Sequence, residues 1–186
     1  DVVIGNPPYI ESRSSVIDEK LKDEILKNIE RRRKNDHSLI TRGSDILIYF
    51  FELGLCILQK EGYFSFITQN AWLDTDYGFK FQKFLKNNTQ IIGVFDNNTK
   101  YFDESANINT IITLFKGNRG VTNNDVNFIR FNVGFENAPS LDNKQQLEKD
   151  GKIICVKQND EMLDKIKWGI LINSDELIID LHKRLF

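Results

Sequence analysis

Asn6-Pro7-Pro8-Tyr9 follows directly on a short apolar run, Val2-Val3-Ile4-Gly5, and its residue types suit one task, gripping a planar ring through an amine attached to it. Such an amine is a poor nucleophile because its lone pair is delocalised into the ring. Acceptors placed around its N–H groups favour the tetrahedral nitrogen that develops as it approaches an activated methyl group. The side-chain oxygen of Asn6 is one acceptor. The backbone carbonyl of Pro7 is the second, because consecutive prolines fix φ near about −65° and drive each preceding residue towards extended geometry. Tyr9 offers an aromatic face on which a base can stack. No general base of shifted pKa is required. The competing reading is a rigid turn with Asn6 as turn former, and the tetrapeptide alone leaves both open.

The composition sets the bounds. At 186 residues the chain is one domain, or a domain plus part of a second, and 40% apolar with 28% charged residues is ordinary for a globular protein. Fourteen Phe against one Met points to a core built on aromatic packing. Cys56 and Cys155 lie in apolar runs without C-x-x-C spacing, so neither a zinc site nor a disulfide framework is expected, and a reducing cytoplasm fits best. His37 and His182 have no partnering Cys or His, so no metal is expected. The longest apolar stretch, Ile46 to Leu58, is interrupted by Glu52 and is too short for a membrane span. A net charge of −2 excludes a globally basic, nucleic-acid-coating surface. Local basic residues remain candidates for phosphate contact, namely Arg31, Arg32, Arg33 and Lys34 with Arg42, though a solvated helix face is the ordinary role of such a run.

The elements that must position the tetrapeptide alternate between strand and helix. Residues 1–5 read as a buried strand. Ile17, Leu21, Ile25 and Ile29 repeat every four residues and make 16–34 an amphipathic helix, followed by a polar loop over 35–43. Ser44 is placed to cap a helix from Asp45 to about Gln59 that is apolar on nearly every side, and Glu61-Gly62 ends it. Residues 63–68 read as a strand, 69–73 as its loop, and about 77–86 as a helix with Phe81, Phe84 and Leu85 inward. Strands follow at 91–95 and 108–115. The 96–107 connection is polar and too short for a crossover helix, so this pair should be antiparallel within an otherwise mostly parallel sheet. Asn6, Asn70 and the 96–107 loop then share the C-terminal edge, where ligands of such sheets gather. Beyond a turn-rich break at 117–124, strands are expected at 126–133 and 153–155. Helical segments are expected at 141–149 and 174–186, the last with Leu177, Ile178 and Leu181 inward.

This ordered series resembles the gamma-type, TaqI-like DNA N6-adenine methyltransferases, found free and within type II and IIG restriction-modification enzymes. Asp1 to Tyr9 looks like the catalytic strand and loop, Ser44 to Glu52 like the following helix, Glu61 to Leu73 like the next strand and loop, and Phe95, Phe102 and Asn109 to Phe115 like the closing hairpin. The resemblance implies an α/β fold, the C-terminal half of a Rossmann-like S-adenosylmethionine-dependent methyltransferase sheet, over 1–116. Residues 117–186 would begin an incomplete target-recognition region. It further implies methyl transfer to an adenine flipped from double-stranded DNA. Asn6 and Pro7 would accept from the amine, Tyr9 would stack on the base, and Phe102 would stack too. Phe102 is also readable as a buried loop anchor, and spacing does not choose between it and Tyr101. A fused or separate endonuclease is an expected partner.

In that family the glycine-rich cofactor loop precedes the catalytic strand, and none is seen ahead of Asn6 here. The sequence therefore reads as part of a longer protein, with Asn6 as the one possible edge contact to the cofactor. Methylation of a protein glutamine or of RNA by a similar loop, or a non-catalytic DNA-specificity module, are the alternatives; the long C-terminal stretch and the 16–43 insertion favour DNA. Residues 1–186 produced alone should bind S-adenosylmethionine weakly or not at all and leave DNA unmethylated. Tight binding in a calorimeter would refute this.

Overall fold

The computed structural model describes residues 1–9, 19–33, 39–40, 44–99, 109–117 and 122–185. The opening apolar run forms β1 (Val2–Gly5), which pairs in parallel with β2 (Tyr63–Gln69). β1 is an edge strand of the described sheet rather than a buried one. Val3 packs on the core, whereas Val2 and Ile4 are exposed at 64% and 79% because nothing described covers their face.

Between these strands lie α1 (Glu19–Arg33) and α2 (Ile46–Ile57). The four-residue repeat of α1 buries Ile25 and Ile29 against Ile46 and Tyr49 of α2; Leu21 is exposed, and Ile17 lies outside the described residues. The cap of α2 is Asp45, not Ser44. Asp45 is extended and its Oδ1 accepts the Leu47 N–H at 2.9 Å, while Ser44 Oγ donates to the Leu39 carbonyl at 3.4 Å. Glu52, buried within α2, accepts the Leu39 N–H at 2.7 Å and so ties the segment ahead of the helix to the helix itself.

After β2 a 3-10 turn over Ala71–Leu73 leads to α3 (Asp76–Asn88), capped by the Thr75 hydroxyl, with Phe81, Phe84 and Leu85 buried as their spacing requires. β3 (Gln90–Asn97) and β4 (Thr110–Lys116) form the antiparallel hairpin, with a bulge between Ile91 and Gly93. β4 also pairs antiparallel with β2. β5 (Asp125–Phe131) joins β3 in parallel, α4 (Lys144–Asp150) follows, and β6 (Gly151–Lys157) closes antiparallel to β5. The order is β1-β2-β4-β3-β5-β6, so β1, β2, β3 and β5 point one way and β4 and β6 oppose them. The fold is α/β with a mostly parallel sheet and an antiparallel closing hairpin.

Residues beyond 116 build onto this same sheet. α5 (Met162–Lys165), α6 (Trp168–Asn173) and α7 (Glu176–Leu185) complete the chain, and Val126, Phe128, Ile154 and Trp168 share one core with Phe51, Phe64 and Phe115. Phe51 is its centre, with ring centroids of Phe81, Phe66 and Phe64 at 4.9, 5.2 and 5.4 Å. Phe95, Ile129, Phe131 and Leu147 form a third cluster, beside the main core and the α1–α2 contact. α7 departs from its sequence pattern. Among its described side chains Ile179 is the buried one and packs on the core, and Leu177, Ile178 and Leu181 are exposed at 72%, 42% and 50%.

Gln158, fully buried, ties β6 to the α3–β3 junction. Its Oε1 accepts the Ile91 N–H at 2.7 Å, and its Nε2 donates to the Lys86 and Thr89 carbonyls at 2.8 and 2.6 Å. Gln158→Leu would strand these backbone groups in the interior and should cost about 2–4 kcal/mol. Denaturant melts check this, and a loss below about 1 kcal/mol would contradict the bonding described.

Candidate active site at the strand ends

Parallel strands deliver their following loops to one edge of a sheet. Here Asn6 follows β1, Asn70 follows β2, and Asp96 and Asn97 end β3. β4 runs the other way, so its first residue, Thr110, lies at the same edge, opposite Gln69. Three strand spacings of about 4.8 Å put roughly 14 Å between β1 and β3 there.

The tetrapeptide sits on a stiff mount. A Cβ on Gly5 would come within 2.9 Å of Phe66 Cε1, so glycine lets the strand lie close to the core up to Asn6. Asn6 is exposed, Pro7 buried, Pro8 exposed and Tyr9 half-buried. The packed proline fixes the backbone next to Asn6, whose carboxamide is open to solvent. Burial pushes the Tyr9 phenol above its usual 10.0. The loop after β2 is held as firmly: Gln82 Nε2 donates to the Trp72 and Leu73 carbonyls at 3.0 Å each, and its Oε1 accepts the Trp168 N–H at 3.1 Å.

The connection after β3 is tied down at both described ends. At the far end the Asn109 carbonyl accepts the Asn70 N–H at 2.9 Å. At the near end Asp96 Oδ1 accepts the Asn97 N–H at 2.9 Å, Asn97 Oδ1 accepts the Thr99 N–H at 2.7 Å, and Asn98 Oδ1 accepts from Arg130 Nε at 3.1 Å. Asn97 Nδ2 and Thr110 Oγ1, both buried at this edge, make no hydrogen bond among the described residues. Buried polar atoms ordinarily have partners, so these two are donors that a ligand or water at the edge could satisfy.

The structure thus gathers Asn6, Pro7 and Tyr9 with Asn70 and the feet of the 98–109 connection along one edge. Phe102 and Tyr101 lie outside the described residues, as do Lys34 and Arg42. Arg31 and Arg32 are exposed near the end of α1, and Arg33 is its last residue; they belong to the α1–α2 layer and not to a strand end. Arg130, which is not among the basic candidates of the sequence, is bonded at the edge. Its visible signal was the polar run Asp96-Asn97-Asn98, but its partner required the β3–β5 register, which sets Asp96 opposite Arg130. Among the described residues no group of His, Cys, Asp or Glu is arranged to hold a metal ion, and no helix is long and apolar enough to cross a membrane.

Asp96 is buried, and burial pushes its carboxyl above the ordinary 3.8, opposed by the Asn97 N–H and the Arg130 guanidinium. A raised folded value means that the stability it contributes is complete below 3.8 and is lost as the pH rises through the folded value. Asp96→Asn keeps the acceptor for Asn97 and removes the titration. Its stability relative to the unmodified protein should therefore improve between about pH 3 and about pH 7 in denaturant melts. A difference independent of pH would contradict the raised carboxyl.

The family model described as Eco57I restriction-modification methylase matches residues 1–102. The type II methyltransferase M.BstVI of Geobacillus stearothermophilus is 27% identical over 96 residues, 52% of this chain and 15% of that protein. Among solved structures, the type IIG restriction endonuclease BpuSI is similar with a TM-score of 0.69 over 98% of this chain and 22% of its own, at 18% identity. The M protein of the type I restriction enzyme EcoKI is similar with a TM-score of 0.53 over 94% of this chain and 41% of its own, at 13% identity. The chain spans only a minor part of the length of each of these relatives, and at such identities the structural likeness is one of fold. The match over residues 1–102 takes in Asn6-Pro7-Pro8-Tyr9 and the elements through β3, and by it the chain belongs to the Eco57I restriction-modification methylase family.

Proposed function

We propose that the protein containing this chain is a site-specific DNA adenine-N6 methyltransferase of a restriction-modification system, and that the strand-end residues hold its target base. The observation that carries this reading is the exposed carboxamide of Asn6 beside a buried Pro7, on the same edge as a loop fixed at both described ends. Asn6 Oδ1 and the Pro7 carbonyl accept from the two N–H groups of the adenine amine and favour its tetrahedral form. Tyr9 stacks on the extruded base, and Phe102 or Tyr101 stacks from the loop between Asn98 and Asn109. Extruding a base costs a few kcal/mol, whereas an aromatic stack returns about 1–3 kcal/mol. Two stacks with two hydrogen bonds offset that cost, and one stack does not.

S-adenosylmethionine supplies the methyl group in this reading. Asn6, whose exposed polar side chain follows the edge strand β1, would border it. Double-stranded DNA is the partner, contacted through Arg31, Arg32, Arg33, Lys34 and Arg42. With a net charge of −2 on the chain, that contact is local. Residues 117–186 lead into the target-recognition region, and an endonuclease acts in the same chain or beside it, in the cytoplasm.

Asn6→Ala in the complete protein should lower adenine methylation of duplex DNA by about 10²–10³-fold, the loss typical of one pre-placed polar group at a reacting centre. A radiolabelled methyl-transfer assay followed by nucleoside analysis checks both the rate and the methylated atom. A near-normal rate in the variant, or methyl groups on an atom other than adenine N6, would overturn the proposal.

A further inference from the structure

Arg130 is one of the side chains through which the sheet extension beyond the hairpin reaches back to the strand-end edge. Arg130 lies on β5, in register with Asp96 at the end of β3. Its Nε donates to Asn98 Oδ1 and its Nη1 to Asn173 Oδ1, each at 3.1 Å, with Asp96 Oδ2 at 3.9 Å from Nε. Asn173 is the last residue of α6, and that helix end is fixed in turn. Lys152 Nζ of β6 donates to the Leu171 and Ile172 carbonyls at 3.4 Å each and to the Ser174 carbonyl. A chain of contacts therefore runs from β6 through the end of α6 and Arg130 to Asn98, the near foot of the loop that carries Tyr101 and Phe102. The other foot, Asn109, is held independently by the backbone of Asn70.

Two simpler roles for Arg130 fit these contacts less well. As a stabilising ion pair it would contribute little, since its side chain is 39% exposed and the Asp96 oxygen stands 3.9 Å away. As a DNA phosphate contact it would offer Nη2, but beside the Asp96 carboxylate, which repels an anion, and with Nε and Nη1 already engaged on Asn98 and Asn173. What the geometry does supply is orientation. The planar fork holds two side-chain oxygens from different elements in a fixed relation, as a lysine could not.

We infer that Arg130 is a positioning residue, which sets the near foot of the base-stacking loop at Asn98 against the β5–β6–α6 layer. The inference rests on the reading of that loop as part of the base-holding site. Asn98 is the last but one described residue before that loop, so its position sets where the loop leaves β3. A misplacement of about 1 Å at a reacting centre can cost as much as 10²-fold in rate.

The test is a double-mutant cycle in the complete protein with Arg130→Met, Asn98→Ala and both together. The melting temperature, S-adenosylmethionine affinity, kcat, KM for duplex DNA and the salt dependence of DNA binding are measured for each. Each single variant should lower kcat by about ten-fold or more, the pair no further than either alone, with S-adenosylmethionine affinity unchanged. Asn98→Asp, which keeps the acceptor, should retain at least about a third of the unmodified kcat. Asn98 is exposed, so Asn98→Ala reads the contact even where Arg130→Met lowers the melting temperature. Additive losses, or an unmodified kcat in Asn98→Ala, would overturn the inference. So would an Arg130→Met variant whose salt slope falls by about one, which marks a phosphate contact. Those outcomes leave the adenine reading intact. Failure of the unmodified protein to methylate adenine N6 would instead remove that reading, and this inference with it.

Discussion

Between the like-directed strands β2 and β3 the chain inserts β4 in the opposite direction, bonded to β2 from Tyr63↔Lys116 through Gln69↔Thr110 and to β3 from Gln90↔Lys116 through Phe95↔Ile112. An antiparallel neighbour must begin at the edge where its partner ends. The connection between β3 and β4 is therefore forced to emerge beside Asn70, and one strand further from Asn6. Side-chain direction alternates along each strand, so a one-residue slip in the β2–β4 ladder would turn Phe115 and Ile111 out of the core. The register that buries these residues is the same register that brings the loop feet to the strand ends.

That register is enforced by aromatic packing. Phe51 of α2 meets Phe64 and Phe66 of β2, Phe81 of α3, Trp72 of the turn between them and, at 6.3 Å, Phe115 of β4. Full burial of such a side chain contributes about 1.5–3 kcal/mol, and edge-to-face pairs add about 0.5–1.5 kcal/mol. The same cluster explains how Trp72, so near the strand ends, can be immobile: it is packed against Phe81 and Trp168, while its indole N–H donates to Thr68. Rigidity of the core is thus transmitted to the loop after β2 without a long lever.

The polar contacts complement this by joining elements distant in sequence. Gln82 links α3 to the turn at Trp72 and to α6, Gln158 links β6 to the α3–β3 junction, and Arg130 links β5 to the loop after β3 and to α6. Each long planar side chain offers more than one hydrogen-bonding group in a fixed relation; Gln82 and Arg130 act towards the strand-end edge, and Gln158 ties the opposite end of the sheet, where β3 begins. The extension beyond the hairpin is therefore part of the frame that shapes this edge, through both its core residues and these ties.

The sequence alone determined most of the elements, α5 and α6 excepted, and their handing-over of residues to one edge. Period-four and alternating apolar patterns located most helices and strands, the short polar connection after β3 required an antiparallel return, and Asn6-Pro7-Pro8-Tyr9 marked a stiff polar loop at a strand end; all of these are local properties of the chain. Local signals misled where a choice depended on neighbours. Ser44 and Asp45 are both good caps, and only the extended backbone at Asp45 decided between them. The apolar side of α7 and the apolar run of β1 looked buried because hydrophobicity does not say whether anything lies opposite. Register and packing were decided by tertiary structure alone. The pairing of Asp96 with Arg130, the tie from Asn70 to Asn109 and the sharing of one core across residue 116 join positions far apart in the chain, and such contacts leave no pattern along the sequence that forms them.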